Sequence, residues 1–156
     1  MTTFIFDLDG CVIDSSHRYE SLPNGEINLA KWIENQTEEL IALDKVLPLA
    51  PYMRKYYSNH RVVVCTSRVM SSFDYLYLIE HDMPFHEMLS RPEGCTLPCH
   101  MLKEIQLRLY ADRRGMSWER FCRTSIMYED TTVIIDHLSE IGLTVYDARI
   151  YNALHA

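Results

Sequence analysis

No apolar stretch in the 156 residues approaches the roughly 20 needed to span a bilayer, and none resembles a secretory leader, because Asp7 and Asp9 interrupt the first apolar run and no basic segment precedes it. A soluble, cytoplasmic protein with no membrane partner is expected. There is no internal repeat, no low-complexity tract and no heptad pattern. A Gly-rich loop ending in Lys-Ser or Lys-Thr is also missing, which excludes a P-loop kinase module. Positive charge is in deficit, with 15 basic against 22 acidic side chains and a net charge of -7. Such a surface repels a long phosphate backbone, so a nucleic-acid partner would be gripped only locally. The five cysteines, Cys11, Cys65, Cys95, Cys99 and Cys122, fit reduced thiols lying mostly in the core. Cys95, Cys99 and His100 lack a fourth ligand for zinc.

What is present is an ordinary globular composition, 47% apolar and 24% charged, and a length that suits one domain over residues 1–156. Thr2–Phe6 reads as a short buried strand, and Arg61–Cys65 as another with no polar alternation after its first residue, the signature of a strand covered on both faces. Thr124–Tyr128 and Leu143–Tyr146 are further strands, and His86–Leu89 a short one. Helices are expected from about Ser71 to Glu80, from a Thr96 cap through an apolar stripe of Leu102, Ile105 and Leu109 to Gly115, around Trp118 and Phe121, and from Thr131 to Gly142. Asn28–Ile41 fits a helix only in part, and Pro48 and Pro51 open another helical piece. Ser15–Glu26 is a loop by composition, and residues 15–60 form whatever small insert exists. Alternating strands and helices imply an α/β fold, a Rossmann-like three-layer sandwich around a parallel sheet.

Three strand ends carry polar clusters: Asp7 and Asp9, then Thr66-Ser67-Arg68, then Glu129 and Asp130. In open α/β sheets ligands bind beyond the carboxyl ends of the strands. Asp-rich turns, helix caps and solvated charges explain each cluster singly, but not their coincidence. Four acids converging on one crevice call for a hard divalent cation, and Mg2+ prefers such oxygens. With it a phosphate can approach, while Thr66 and Arg68 or Lys103 hold the remaining phosphate oxygens. One carboxylate can then attack phosphorus while another moves the proton. Asp7 and Asp9 share one site only if the chain bends at Leu8-Asp9, a turn that Gly10 eases.

Asp7-Leu8-Asp9-Gly10, Thr66-Ser67-Arg68, Lys103 and Glu129-Asp130, in this order, resemble the four motifs of the haloacid dehalogenase-like (HAD) phosphatases over residues 3–147. The resemblance implies Asp7 as nucleophile and magnesium ligand, and Asp9 as acid/base with its backbone carbonyl on magnesium. It implies Thr66 as the phosphate-binding hydroxyl, Lys103 as the phosphate-neutralising lysine, and Glu129 or Asp130 as the remaining metal ligand, with Asp130 favoured for direct contact.

Arg91-Pro92-Glu93-Gly94-Cys95-Thr96 followed by Lys103-Glu104, and Glu129-Asp130-Thr131, are similar to the 3'-phosphatase domain of phage polynucleotide kinase. Cys95 and Leu97-Pro98 depart from that domain's pattern. The likeness implies a substrate-phosphate contact for Arg68, beside Ser67, while Arg18 lies in a loop that can touch substrate. A fairly open site with a small or absent cap is expected, taking a phosphorylated nucleotide or a nucleic-acid 3' end. The first expectation is a polynucleotide 3'-phosphatase. Its alternatives are a 5'(3')-deoxyribonucleotidase on free nucleotides or a HAD-fold binding protein without turnover.

Overall fold

The computed structural model describes residues 1–23 and 27–156. In chain order its elements are β1 (Thr3–Phe6), β2 (Ile13–Asp14), α1 (Leu29–Glu34), α2 (Glu38–Ile41), β3 (Lys45–Val46), α3 (Pro51–Tyr57), β4 (Arg61–Cys65), α4 (Ser72–Glu80), β5 (Glu87–Leu89), α5 (Cys99–Arg113), α6 (Trp118–Arg123), β6 (Ser125–Glu129), α7 (Thr132–Glu140), β7 (Thr144–Asp147) and α8 (Ala148–Leu154). A single turn of 3-10 helix, Ser16–Arg18, follows β2.

Five strands pair in the order β5-β4-β1-β6-β7, all neighbours parallel. Alternation along each strand divides the core in two. Phe4, Phe6, Val62 and Val64 pack with Met53 of α3, Tyr77 and Leu78 of α4 and Ala148 of α8. Ile5, Val63, Cys65 and Met127 pack with Leu107, Tyr110 and Ala111 of α5, Phe121 of α6 and Leu138 of α7. This is the expected three-layer sandwich. From β1 the chain steps outward to β4 and β5 on one side and to β6 and β7 on the other, so the strand order reverses at β1, where a crevice opens.

Several boundaries differ from the sequence reading for local reasons. Thr96 does not cap α5; Pro98 is its N-cap and Cys99 the first helical residue, since a proline lacks only an N–H that the helix start leaves unpaired. Asn28–Ile41 splits into α1 and α2, each started by its own side-chain cap, Asn28 and Thr37. Thr131 is the N-cap of α7, yet its hydroxyl makes no capping bond. The loop expected over Ser15–Glu26 contains the 3-10 turn, and its residues 24–26 lie outside those described. Cys11, Cys65 and Cys122 are buried, Cys95 is partly covered and Cys99 is exposed. Among the described residues no helix is long and apolar enough to cross a membrane.

The insert between β2 and α3 carries α1, α2 and the small antiparallel β2-β3 pair. Asn35 Nδ2 donates to the carbonyl of Arg18 at 2.9 Å, the Tyr77 hydroxyl to the carbonyl of Asp44 at 2.9 Å, and Gln36 Nε2 to the carbonyl of Val69. The first bond braces the insert internally, and the other two fasten it beside the carboxyl ends of the strands.

Candidate active site

The register sets the site. Phe6 stands level with Val64 and Tyr128, so Asp7, Cys65 and Glu129 come next, side by side. Beyond Asp7 the chain leaves the extended conformation. The carbonyl of Leu8 accepts from the amides of Cys11, Val12 and Ile13 at 3.1, 3.0 and 3.0 Å, which folds Asp9 and Gly10 back over the strand ends. Gly10 has φ +76°, and a Cβ there would lie 2.1 Å from Oδ2 of Asp130. Only glycine lets the Asp7 loop and the β6 end close against each other.

Asp7, Glu129 and Asp130 form a cluster in which one carboxylate oxygen from each lies within 4.8 Å of the others. Lys103, 1% exposed, reaches in from α5 with Nζ 2.8 Å from Asp7 Oδ1 and 2.6 Å from Glu129 Oε2. Glu129 Oε1 accepts the amides of Asp130 and Thr131 at 3.0 and 3.2 Å, so both its oxygens have partners. The hydroxyl of Thr131 lies 3.4 Å from Asp130 Oδ1.

The charges follow from this arrangement. Burial, then the charge of Glu129, pushes the Asp7 carboxyl well above the usual range, against the pull of Lys103. Burial and Glu129 likewise push Asp130 up to about 7. Burial works against ionisation of Glu129 too, but Lys103 and the bonds it accepts hold its carboxyl low. Three carboxylates against one ammonium leave two formal negative charges in a set of hard oxygen donors. That set fits one Mg2+ ion.

Asp9 sits apart from the cluster. Its carboxylate accepts both an Arg68 guanidinium fork and the hydroxyl of Ser15. Burial alone would raise it, yet the charge and hydrogen bonds of Arg68 hold it below the ordinary aspartate range. Thr66 is fully buried at the end of β4, and its Oγ1 accepts the amide of Arg68 at 3.1 Å. Among the described residues the buried Ser67 hydroxyl has no partner. Arg18 and Arg68 are each 2% exposed and stack on Trp32 with their guanidinium carbons 4.2 and 5.3 Å from the ring centroid.

The sequence-named residues Asp7, Asp9, Thr66, Arg68, Lys103, Glu129 and Asp130 therefore gather at one end of the sheet. Arg18, itself part of the insert, is buried against Trp32 and Asp44. Three participants escaped sequence reasoning: Ser15, Asp44 and Asp74. Asp44 carried a readable signal, a lone acid in the run Ile41-Ala42-Leu43-Asp44-Lys45-Val46-Leu47, since a charge among apolar residues needs a buried partner. Asp74 is read locally as the N3 acid of the Ser71 capping box, which it also is.

The fold is of the HAD-hydrolase type, and the acid cluster offers a divalent cation a set of hard oxygen ligands. A HAD-superfamily hydrolase from Geobacter sulfurreducens superposes with a TM-score of 0.64 at 15% identity, over 99% of both chains. A chain of the Pnkp1/Rnl/Hen1 RNA repair complex gives a TM-score of 0.64 at 16% identity, over 94% of this chain and 42% of that one. More particularly, the chain belongs to the family described as bacteriophage T5 5'-deoxynucleotidase, whose model matches residues 1–155. It is similar to the 5'-deoxynucleotidase of Escherichia phage T5, 40% identical over 80 residues. The matched stretch covers 47% of this chain and 32% of that relative, about a third of the relative's length.

Proposed function

We propose that the protein is a magnesium-dependent phosphatase that removes the 5'-phosphate of free deoxynucleoside monophosphates through an aspartyl-phosphate. The observation that carries the substrate is the family match over residues 1–155. The net charge of -7 supports it, because a polynucleotide would meet repulsion over most of the surface. The insert supports it as well, being fastened beside the site rather than leaving a long open track. The polynucleotide 3'-end, placed first on sequence alone, becomes the second reading, and it retains the fold-level likeness to the RNA repair complex.

In this reading one carboxylate oxygen of Asp7 attacks phosphorus in line as the bond to the leaving oxygen breaks, and Asp9 gives that oxygen its proton. Water then attacks the phosphorus of the aspartyl-phosphate and passes a proton to Asp9, and the Asp7 carboxylate returns as inorganic phosphate leaves. Bound magnesium supplies positive charge that lets a phosphate dianion approach the acids. Asp7 and Asp130 would hold it, while Glu129 engages Lys103 and the turn behind Asp130. Lys103 balances the charge of Asp7 before attack. The Thr66 hydroxyl, accepting the Arg68 amide, keeps its proton to donate to a phosphate oxygen.

A phosphate-release assay with Mg2+ tests the proposal by comparing deoxynucleoside 5'-monophosphates with 3'-phosphorylated oligonucleotides. Turnover of the mononucleotides, abolished by Asp7→Asn, is expected. Turnover of the oligonucleotides alone would favour the second reading, and activity surviving Asp7→Asn would overturn the covalent mechanism.

A further inference from the structure

Four of the five guanidinium N–H groups of Arg68 have carboxylate partners inside the protein. Nε donates to Asp9 Oδ2 at 2.9 Å and Nη2 to Asp9 Oδ1 at 2.6 Å, a bidentate fork. Nη1 donates to Asp74 Oδ1 at 2.6 Å, and Nη2 also lies 3.5 Å from Asp44 Oδ2. Asp44, whose side chain is wholly buried, accepts Arg18 Nε and Nη2 at 2.9 Å each and lies 2.8 Å from His17 Nε2. Asp74 Oδ2 accepts the amide and hydroxyl of Ser71 at 2.8 and 2.9 Å and the amide of Gln36. Among the described residues only one N–H, on Nη1, is left without a partner, so this buried arginine has no edge with two free donors for a bidentate grip on a substrate phosphate unless these pairs break.

The same bonds decide how Asp9 is presented. Each carboxylate oxygen has two lone-pair positions. Oδ1 accepts from both Arg68 and Ser15, whereas among the described residues Oδ2 accepts only from Arg68 Nε. One position on Oδ2 remains, and Asp9 keeps a fifth of its side-chain surface exposed.

We propose that Arg68 is a positioning residue for Asp9 rather than a ligand of the substrate phosphate, and that Asp44 of the insert and Asp74 of α4 set Arg68 in place. The free lone pair of Oδ2 is the point of proton exchange. The Oδ2 lone pair, open to solvent, first takes up a proton from water; as the P–O bond breaks, the leaving oxygen keeps its electron pair and takes that proton, and in the second step a proton of the attacking water returns to Oδ2. The insert thus contributes to turnover through Asp44. This rests on the phosphomonoesterase reading of the site, not on the nucleotide as substrate.

Single-turnover release of the leaving group separates the two roles. A deoxynucleoside 5'-monophosphate expels an alkoxide that needs a proton, whereas p-nitrophenyl phosphate expels a stable aryl oxide that does not. Because general acid catalysis contributes about 10²–10⁴-fold, Arg68→Lys should slow release from the alkyl ester about 100-fold and Asp44→Asn about tenfold. Release from the aryl ester should stay within about threefold, and inhibition by inorganic phosphate within about twofold, of wild type. Phosphate inhibition weakened about tenfold or more, with leaving-group release at saturating substrate unchanged, would overturn the proposal. So would equal slowing on both esters, the mark of a general disturbance. Asp44→Glu keeps the buried charge and replaces Asp44→Asn if circular dichroism shows the latter unfolded. If the wild type turns over the aryl ester but no deoxynucleotide, only the substrate reading fails, and a sugar phosphate serves as the alkyl ester.

Discussion

With Lys103 removed, Asp7 and Glu129 would face each other inside the protein without a cation of the chain's own. Breaking a buried ion pair from one side costs about 3–5 kcal/mol, so Lys103→Met should lower the unfolding free energy by that order, measured by urea denaturation without metal. Adding Glu129→Gln should recover part of the loss, because one orphaned charge disappears with it. Gly10 is constrained in a different way. At φ +76°, with Asp130 Oδ2 in the space of a Cβ, Gly10→Ala must strain the backbone by about 1–3 kcal/mol and displace Asp130. The expected result is a lower melting temperature together with a higher magnesium concentration for half-maximal activity. A variant with only the stability loss would mean that Asp130 does not depend on this close approach. Both residues were legible in the sequence as motif positions. Their partners were not, because Lys103 reads as an ordinary helical lysine until α5 is docked.

Helix α5 shows where pattern reading of an element succeeds and where it slips. Its existence and its Gly115 stop follow from the sequence, but the stripe Leu102, Ile105 and Leu109 is not the buried face. Leu102, Lys103, Leu107, Tyr110 and Ala111 turn inward, while Ile105 and Leu109 are 44% and 54% exposed. The face is rotated so that Lys103 reaches Asp7 and Glu129, and apolar residues are left outside as the consequence. Leu107→Ala should therefore cost about 2–5 kcal/mol, the range for a deleted core leucine, whereas Ile105→Ala should stay within about 0.5 kcal/mol. Urea unfolding of the two variants checks this, and the reverse order would mean that the stripe faces the core. The central strands β1, β4 and β6 were legible because runs buried on both faces have no competing pattern. The β2-β3 pair and α8 were not: β2 and β3 are two residues each, and α8 begins at Ala148, capped by Asp147, the last residue of β7.

For the molecule as a whole, the sheet brings acids together that repel each other until a cation arrives, and this couples stability to pH. Asp130, lifted from its ordinary 3.8 to about 7, and Asp7, raised in the same direction, hold protons in the folded state that the unfolded chain has already released. Between about 4 and 7 the folded protein therefore binds more protons than the unfolded one, and stability falls as pH rises. Asp9 has the opposite shift, so its contribution is lost only in more acid solution, as pH falls through its lowered value. Metal-free protein should accordingly melt at lower temperature at pH 7 than at pH 5, and Mg2+ should reverse the trend by binding the ionised cluster. At a hundredfold excess over its dissociation constant a ligand adds about 2.7 kcal/mol, which for a chain of this size corresponds to roughly 5–10 °C. The magnesium-dependent increment should be largest at pH 7 and shrink toward pH 5 as Asp130 takes up its proton. Thermal melts with EDTA and with saturating Mg2+ across that range measure it, and an increment independent of pH would place the ion away from Asp7 and Asp130.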